Sequence, residues 1–447
     1  PWDRAREMAA RTPPTRNRFV DYLRALSIGV VVLGHWLIAV ITVDEGRIVA
    51  GHLLSEAPVT QWLTWVFQVM PVFFIVGAYS NGASWSAAAR AGKSYADWLR
   101  GRCQRLLGPT AIFALAWVPL ALFAQRWVSD PATLVVATRL VTVPLWFLAV
   151  YLAVIPLAPL MLALHHRFGT AVPITLVAGA VVVDALAAAR GIQGGSLEPS
   201  WSWINYVFVW LAIHQLGFFW WDGSLERSSW IRWGFTFGGL GVLILVTSLG
   251  LYPVSMIGVP GAERSNNTPP SAALVLLALF QLGVILLANP AANRRLARTG
   301  PWARTIVANG VIMTLYLWHM TAMVLVVFAA FVVGFGLDIQ PLTGLWWISR
   351  LAWLAVLAAT LVVFVAVFGR FERPRPPAEV GRGWKTATLT CVGALMAGAG
   401  LAGLAVQGFY TPNEIWGIPV VTLLVLIVGA AAVGVTPRIY MRESSPK

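Results

Sequence analysis

Apolar blocks about 20 residues long recur from one end of this 447-residue chain to the other, separated by short polar stretches. A helix rises 1.5 Å per residue, so about 20 apolar residues cross the roughly 30 Å of hydrocarbon in a bilayer. Twelve such blocks fall near 20–43, 61–83, 107–125, 144–164, 171–189, 203–221, 233–251, 272–289, 306–334, 343–368, 386–406 and 416–435. Only 11% of the residues are charged, against roughly a quarter in a soluble domain. The pattern predicts an all-α polytopic membrane protein and leaves no room for a large soluble module. The first block carries Asp21, Arg24 and His35 and no small-residue cleavage site follows it, so it does not read as a cleavable signal peptide.

The formal charge of +14 raises nucleic acid as a partner until its distribution is followed. With a cytoplasmic N-terminus, all of the 32 basic residues except Arg47, Arg126, Arg139, Arg190, Arg264 and Arg350 fall on the inside. That bias predicts both termini in the cytoplasm of a cell whose plasma membrane holds the protein. The basicity is then topology, the partners are membrane lipids, and nucleic acid is not among them. The two cysteines, Cys103 and Cys391, make neither a disulfide framework nor a four-ligand zinc site. His52 falls in an outer loop and His165-His166 in an inner one, where exposure is expected, and no histidine spacing resembles a metal motif.

The chain divides into a cytoplasmic segment 1–17, a ten-helix core 18–370, a cytoplasmic linker 371–385 containing Arg373-Pro374-Arg375-Pro376-Pro377, a transmembrane hairpin 386–435 and a tail 436–447. The outer loops 44–60, 190–202 and 252–271 are rich in Gly, Pro, Asn and Ser and read as irregular caps. Tryptophan pairs such as Trp220-Trp221 and Trp346-Trp347 read as interfacial or lipid-facing anchors. No internal repeat is visible.

An ionisable side chain in hydrocarbon costs at least about 2.5 kcal/mol and faces a cavity or a partner. The residues this singles out are Asp21, Arg24 and His35 in span one, Asp184 in span five, His214 in span six, His319 in span nine and Arg350 in span ten. Arg24 and His35 are eleven residues apart, about three turns, which places them on one helix face about 16 Å apart. Asp21 shares that face. A cation at the cytosolic mouth with an imidazole half a membrane deeper suits a donor that is anionic at one end and reactive at the other. Arg102-Cys103-Gln104-Arg105 sets two guanidinium groups at i and i+3 on one helical face. Such a pair binds phosphate, or else enforces topology against anionic lipid. Gln68, Asn81, Gln281 and Asn309 read as helix–helix hydrogen bonds.

Several of these residues, in order, resemble the bacterial membrane acyltransferase-3 family. They are Asp21-Tyr22-Leu23-Arg24, the Arg-x10-His spacing ending at His35, Phe73-Phe74-Ile75-Val76-Gly77, and Arg102-x-x-Arg105 before Pro109. Trp146-Phe147-Leu148 and Leu315-Tyr316-Leu317-Trp318-His319 look like later signatures of the same family. The usual Phe-x-x-Ser-Gly-Phe is here Phe74-Ile75-Val76-Gly77-Ala78-Tyr79, and the last two helices exceed the common ten. The tryptophan-rich, Arg-biased character and His214-Gln215-Leu216-Gly217 are similar to actinobacterial members, one group of which acetylates trehalose monomycolate.

The resemblance implies transfer of an acyl group, commonly acetyl from cytosolic acetyl-CoA, to a hydroxyl of a sugar or glycolipid. It implies a catalytic role for His35 and donor-binding roles for Arg24, Arg102 and Arg105. His35 would act as general base or would accept the acyl group covalently. Asp21 would orient or complete the donor site. His319 either packs or reaches the same cavity, while His214 and Trp146 are candidates for contact with the acceptor. The rival reading is a lipid or glycolipid transporter, which lacks the expected buried carboxylates and inverted repeats.

Overall fold

A computed structural model describes residues 2–13, 16–128, 130–191, 201–372 and 383–435. Most of the linker, most of the loop 190–202 and the tail 436–447 lie outside the described residues.

Among the described residues, ten helical stretches are long and apolar enough to span a membrane: Arg18–Ile38, Pro58–Arg90, Tyr95–Ala124, Leu145–Phe168, Ala171–Ala189, Ser229–Ser248, Ala272–Leu296, Ile312–Val333, Gly344–Glu372 and Trp384–Gln407. The chain is thus an all-α polytopic membrane protein. Ten rather than twelve reach spanning length because two of the expected spans form shorter helices. Asn205–Trp221 is preceded by a 3-10 turn at Trp201–Ile204. Val420–Ala432 is bounded by Pro419 and, two residues past its end, by Gly434 with φ +74°.

The fold consists of two compact units, one comprising 1–90 and 157–365, the other 91–156 and 366–447. The first opens with α1 (Trp2–Ala10), which buries Ala5 and Ala9 against Trp302 and Ala303. Helix α2 (Arg18–Ile38) buries Phe19, Val20, Leu23, Ile28, Val31, Val32 and Trp36, a stripe of helical period. It does not run to residue 43 as expected. At Ala39 the chain becomes extended and forms β1 (Ala39–Asp44), which pairs antiparallel with β2 (Arg47–His52) from Ala39↔His52 to Asp44↔Arg47. The turn residues Glu45 and Gly46 both have positive φ, at 47° and 75°. That conformation matches the right-handed twist of the strands and is readily adopted by glycine.

Further along this unit come α3 (Met70–Arg90), α7 (Ala158–Phe168), α8 (Ala171–Ala189), α9 (Asn205–Trp221), α10 (Ser229–Ser248), α11 (Ala272–Leu296), α12 (Thr299–Asn309), α13 (Ile312–Val333) and α14, which begins at Gly344. Helix α9 is buried nearly all round, with Phe74 stacked on Trp210 at 4.3 Å and Tyr79 edge-on to Trp220. At Gly217 it meets α3 so closely that a Cβ would stand 2.1 Å from the Ile75 carbonyl oxygen. Trp220 and Trp346 are each 1% exposed, so neither is a lipid-facing anchor. Trp220 is held inward because its Nε1–H donates to Glu226 at 3.0 Å.

The other unit contains α4 (Tyr95–Ala124), α5 (Pro131–Thr142), α6 (Leu145–Val154), α15 (Trp384–Gln407) and α16 (Val420–Ala432). Within it α15 packs along α16 and against α6. The short α5 was not foreseen; Asp130 starts it by accepting the Ala132 and Thr133 amides.

Asp184, late in α8, is a clasp. It accepts hydrogen bonds from Asn205 Nδ2 at 2.7 Å, Tyr252 OH at 2.9 Å and the Ala272 amide at 2.8 Å. Burial and the Asp184 charge push the Tyr252 hydroxyl above its ordinary value, so it stays protonated and donates. The Ala272 amide belongs to the first turn of α11, whose dipole also favours an anion. Asp184→Ala would leave three donors without this acceptor, and a loss of about 2–4 kcal/mol is expected. Asp184→Asn should recover part of it. Thermal unfolding in detergent measures both, and an unchanged melting temperature would remove the clasp from the fold's support.

Candidate active site

Two pairs of side chains, spaced almost equally, lock α2 to the chain segment running from the end of α12 into α13. At one end Arg24 Nε donates to Asn309 Oδ1 at 2.7 Å and Nη2 to Asp21 Oδ1 at 3.1 Å. Asn309 Nδ2 returns a bond to the Asp21 carbonyl at 2.9 Å, and Arg16 holds the second Asp21 oxygen at 2.7 Å. Eleven residues past Arg24 on α2 stands His35, and ten past Asn309 stands His319; His35 Nδ1 and His319 Nε2 are 2.9 Å apart. The Asp21–Arg24 face read from the sequence is thus an ion pair. Asn309 makes the helix–helix bonds expected of it, to Arg24 and to the Asp21 carbonyl.

The histidine pair has a direction. The His319 Nδ1 lies 2.6 Å from the Tyr316 carbonyl oxygen, which can only accept, so Nδ1 carries the proton. A neutral His319 then offers the lone pair of Nε2, and His35 Nδ1–H donates to it. The network so assigned leaves His35 Nε2 unprotonated, as a base. The ring planes are 4° apart with centroids 5.1 Å apart. The centroids exceed the N···N distance by about two ring radii, so the rings meet edge to edge in one plane, as a strong hydrogen bond requires. Trp36 Nε1–H donates to the His319 carbonyl at 3.1 Å and fixes the pair further. His319 is fully buried, whereas His35 keeps part of its surface accessible.

His52 was expected in an exposed loop. It stands instead at the end of β2, partly buried, opposite Ala39 and within electrostatic range of His35. Burial holds its imidazole below the ordinary value. The hairpin that folds back onto the end of α2 puts it there. His165 is also not exposed: at 4% exposure its Nε2 lies 2.9 Å from Asp222 Oδ2, tying α7 to the end of α9. Burial alone would raise the Asp222 carboxyl, but hydrogen bonds from Ser224 and His165 outweigh it and hold the group below its ordinary value.

His214 is fully buried on α9, its Nε2 3.2 Å from Asn81 Nδ2 of α3. Gln68 and Gln281 also bond across helices, Gln281 Nε2 to the Gln68 carbonyl at 2.9 Å. Arg102, Arg105 and Trp146 belong to the other unit. Arg102 and Arg105 lie one turn apart on α4, flanking Gln104, whose amide donates to the Val433 and Gly434 carbonyls. Trp146 is partly buried and edge-on to Phe147. Among the described residues no three His, Cys, Asp or Glu side chains are grouped to hold a metal ion.

No curated protein and no solved structure matches the chain significantly. A family model described as an acyltransferase domain matches residues 17–369, a stretch that takes in both pairs on α2 and all of the resembling motifs. The match decides for an acyltransferase over a transporter. With ten helices of spanning length and nearly four-fifths of its residues inside that domain, the chain belongs to the acyltransferase-3 family of membrane acyltransferases.

Proposed function

We propose that this protein moves an acyl group, acetyl in the first instance, from cytosolic acyl-CoA to a hydroxyl of a cell-envelope sugar or glycolipid, in a bacterial plasma membrane with both termini inside. The observation that carries the reading is the directed chain from His35 through His319 to the Tyr316 carbonyl, which presents a basic nitrogen on the accessible ring. A hydroxyl attacks a thioester poorly until its proton is removed. In the proposed step the acceptor O–H gives its proton to His35 Nε2 while its oxygen bonds to the acyl carbon. The C–S bond then breaks, and the departing thiolate takes the proton back from Nε2–H. As positive charge develops on His35, the bond to His319 strengthens because its donor is now charged.

Arg24, about 16 Å from His35 along the helix, suits the anionic end of the donor, with Asp21 and Asn309 holding its guanidinium in place. Arg102 and Arg105 would supply further cations for the CoA phosphates, and Trp146 and His214 are candidates for the acceptor. The inside-heavy arginine distribution supports the orientation this requires.

The test is incubation of purified protein in nanodiscs with radiolabelled acetyl-CoA and a cell-envelope lipid extract. Label should pass to an extractable lipid or sugar, and Arg24→Gln should raise the KM for acetyl-CoA by about 10- to 100-fold, the loss expected of a charge-assisted contact. Acetyl-CoA should also raise the melting temperature of the wild type, since it binds the folded state. Neither transfer nor a thermal shift at saturating acetyl-CoA would sink the reading.

A further inference from the structure

The end of α2 beyond His35 holds a second cationic site, formed by Arg350 of α14. Within the first unit this helix is largely unburied and turns one stripe inward, Trp346, Arg350, Trp353, Leu357 and Leu361, at the 4-3-4-4 spacing of a single helix face. An arginine on the lipid-facing side could have extended to the headgroups; this one is 8% exposed, on the packed side. Its Nη1 donates to the Ala39 carbonyl at 3.3 Å, which accounts for one of five N–H donors. Among the described residues no carboxylate lies within ion-pairing distance of it.

Three buried donors gather at this point with no acceptor: Arg350 Nε, Trp346 Nε1 and Trp353 Nε1. The guanidinium carbon stands 4.3 Å from the Trp346 ring and 5.5 Å from the Trp353 ring. The rings hold the cation by cation–π attraction while their own N–H groups remain to be satisfied. Capping Ala39 would explain a single hydrogen bond. It does not explain a buried cation with an orphaned Nε beside two orphaned indoles, since buried donors are normally paired. An anionic group with several oxygens, a phosphate or a carboxylate, is the acceptor that matches a buried guanidinium and neighbouring N–H donors.

The place identifies the molecule that carries it. Ala39 is four residues past His35, about 6 Å along the axis, on the side opposite Arg24. The anionic donor is assigned to the Arg24 side; the partner in the reaction comes from the other. We propose that Arg350, with the indole N–H groups of Trp346 and Trp353, binds an oxyanion of the acceptor and holds its hydroxyl at His35, so that the acceptor is a phosphorylated or carboxylated glycolipid or glycan. This rests on the acyl-transfer reading above.

The experiment compares wild type, Arg350→Gln and Trp353→Phe in two assays. In the first, envelope lipid is separated by anion exchange and each fraction is offered with labelled acetyl-CoA. The wild type should label the anionic fraction. Arg350→Gln should raise the acceptor concentration at half-maximal rate by about tenfold or more and Trp353→Phe by about threefold, both with the KM for acetyl-CoA unchanged. Label entering only the neutral fraction, or an unchanged acceptor requirement in both variants, overturns the proposal. Trp353→Phe keeps the ring and the Ala39 cap, so the test survives if Arg350→Gln fails to fold. The second assay needs no chemistry: equilibrium binding of glucose 1-phosphate, with glucose as control, and retention of phosphatidylglycerol against phosphatidylcholine by intact-complex mass spectrometry. The phosphate probe should bind the wild type and not Arg350→Gln. Should Arg350→Gln lose only phosphatidylglycerol, with the acceptor requirement untouched, the site holds a bilayer headgroup and the acceptor assignment is overturned. Binding without any transfer would instead sink the acyl-transfer reading and leave the anion site standing.

Discussion

His35→Ala is expected to lower acyl transfer about 10³-fold or more while leaving the acetyl-CoA-induced thermal shift in place. General-base catalysis contributes about 10²- to 10⁴-fold, and the substitution removes the nitrogen that takes the proton in the proposed step without touching Arg24 or Asp21. His319→Ala should cost about 10²-fold by a different route. In the proposed reaction His319 touches no reacting atom; it holds the His35 ring in plane and keeps the proton on Nδ1, and without it the tautomer and rotamer are both free. His319→Gln, whose carbonyl oxygen can still accept from Nδ1–H, should restore part of the rate. The double variant His35→Ala/His319→Ala should be no slower than His35→Ala alone, because a positioning residue has nothing left to position. Steady-state kcat/KM of the four proteins decides. Additive losses would mean that the two imidazoles act separately, and an unimpaired His319→Ala would dissolve the pair.

The second large effect concerns folding. Gly217→Val should destabilise the protein by about 3 kcal/mol or more and abolish its monodisperse yield in detergent. A Cβ there would stand 2.1 Å from the Ile75 carbonyl oxygen and 2.6 Å from the Ala78 Cβ. The first of these is backbone, so no rotamer change relieves the contact and α3 and α9 must separate. Separation would open the Phe74–Trp210 stack and the Asn81–His214 bond, which lie along the same interface. Gly241→Ala is the control: a Cβ there meets nothing within 4 Å, and replacing glycine in a helix favours the helical state by up to about 1 kcal/mol. Size-exclusion profiles and melting temperatures separate the two, and a well-folded Gly217→Val would show that the helix contact can yield.

The helices were legible because spanning hydrocarbon demands a length and a composition that few other structures need. The Asp21–Arg24 pair was legible because three residues of helix bring side chains together whatever the tertiary structure does. What could not be read was everything that depends on which helices are neighbours. Nothing local to Leu315–His319 states that His319 faces His35, although Arg24-to-His35 and Asn309-to-His319 have nearly the same spacing, and two polar pairs at one separation are a hint of parallel helices in register. The hairpin is hard to read because Ala39–Val43 is apolar enough to prolong a span; the signal lies in Glu45-Gly46 between two short runs rich in Val and Ile. His165 and Trp220 were misplaced for a common reason. Each bonds to a carboxylate just past the end of α9, Asp222 and Glu226, and those acids look like ordinary loop charges in the sequence.

The hydrogen-bond chain at the centre of the site is a cul-de-sac. It begins at His35 Nε2, passes through two imidazoles and stops at the Tyr316 carbonyl, a group that has no proton to give and none to take at any physiological pH. It therefore cannot conduct a proton across the bundle, and the membrane potential has no path to act through it. A proton that enters at Nε2 must depart by Nε2. In the proposed reaction, the attacking hydroxyl and the departing sulfur would then share one face of one ring during the same turnover, so two substrates arriving from opposite sides of a membrane would have to be present together before either is changed.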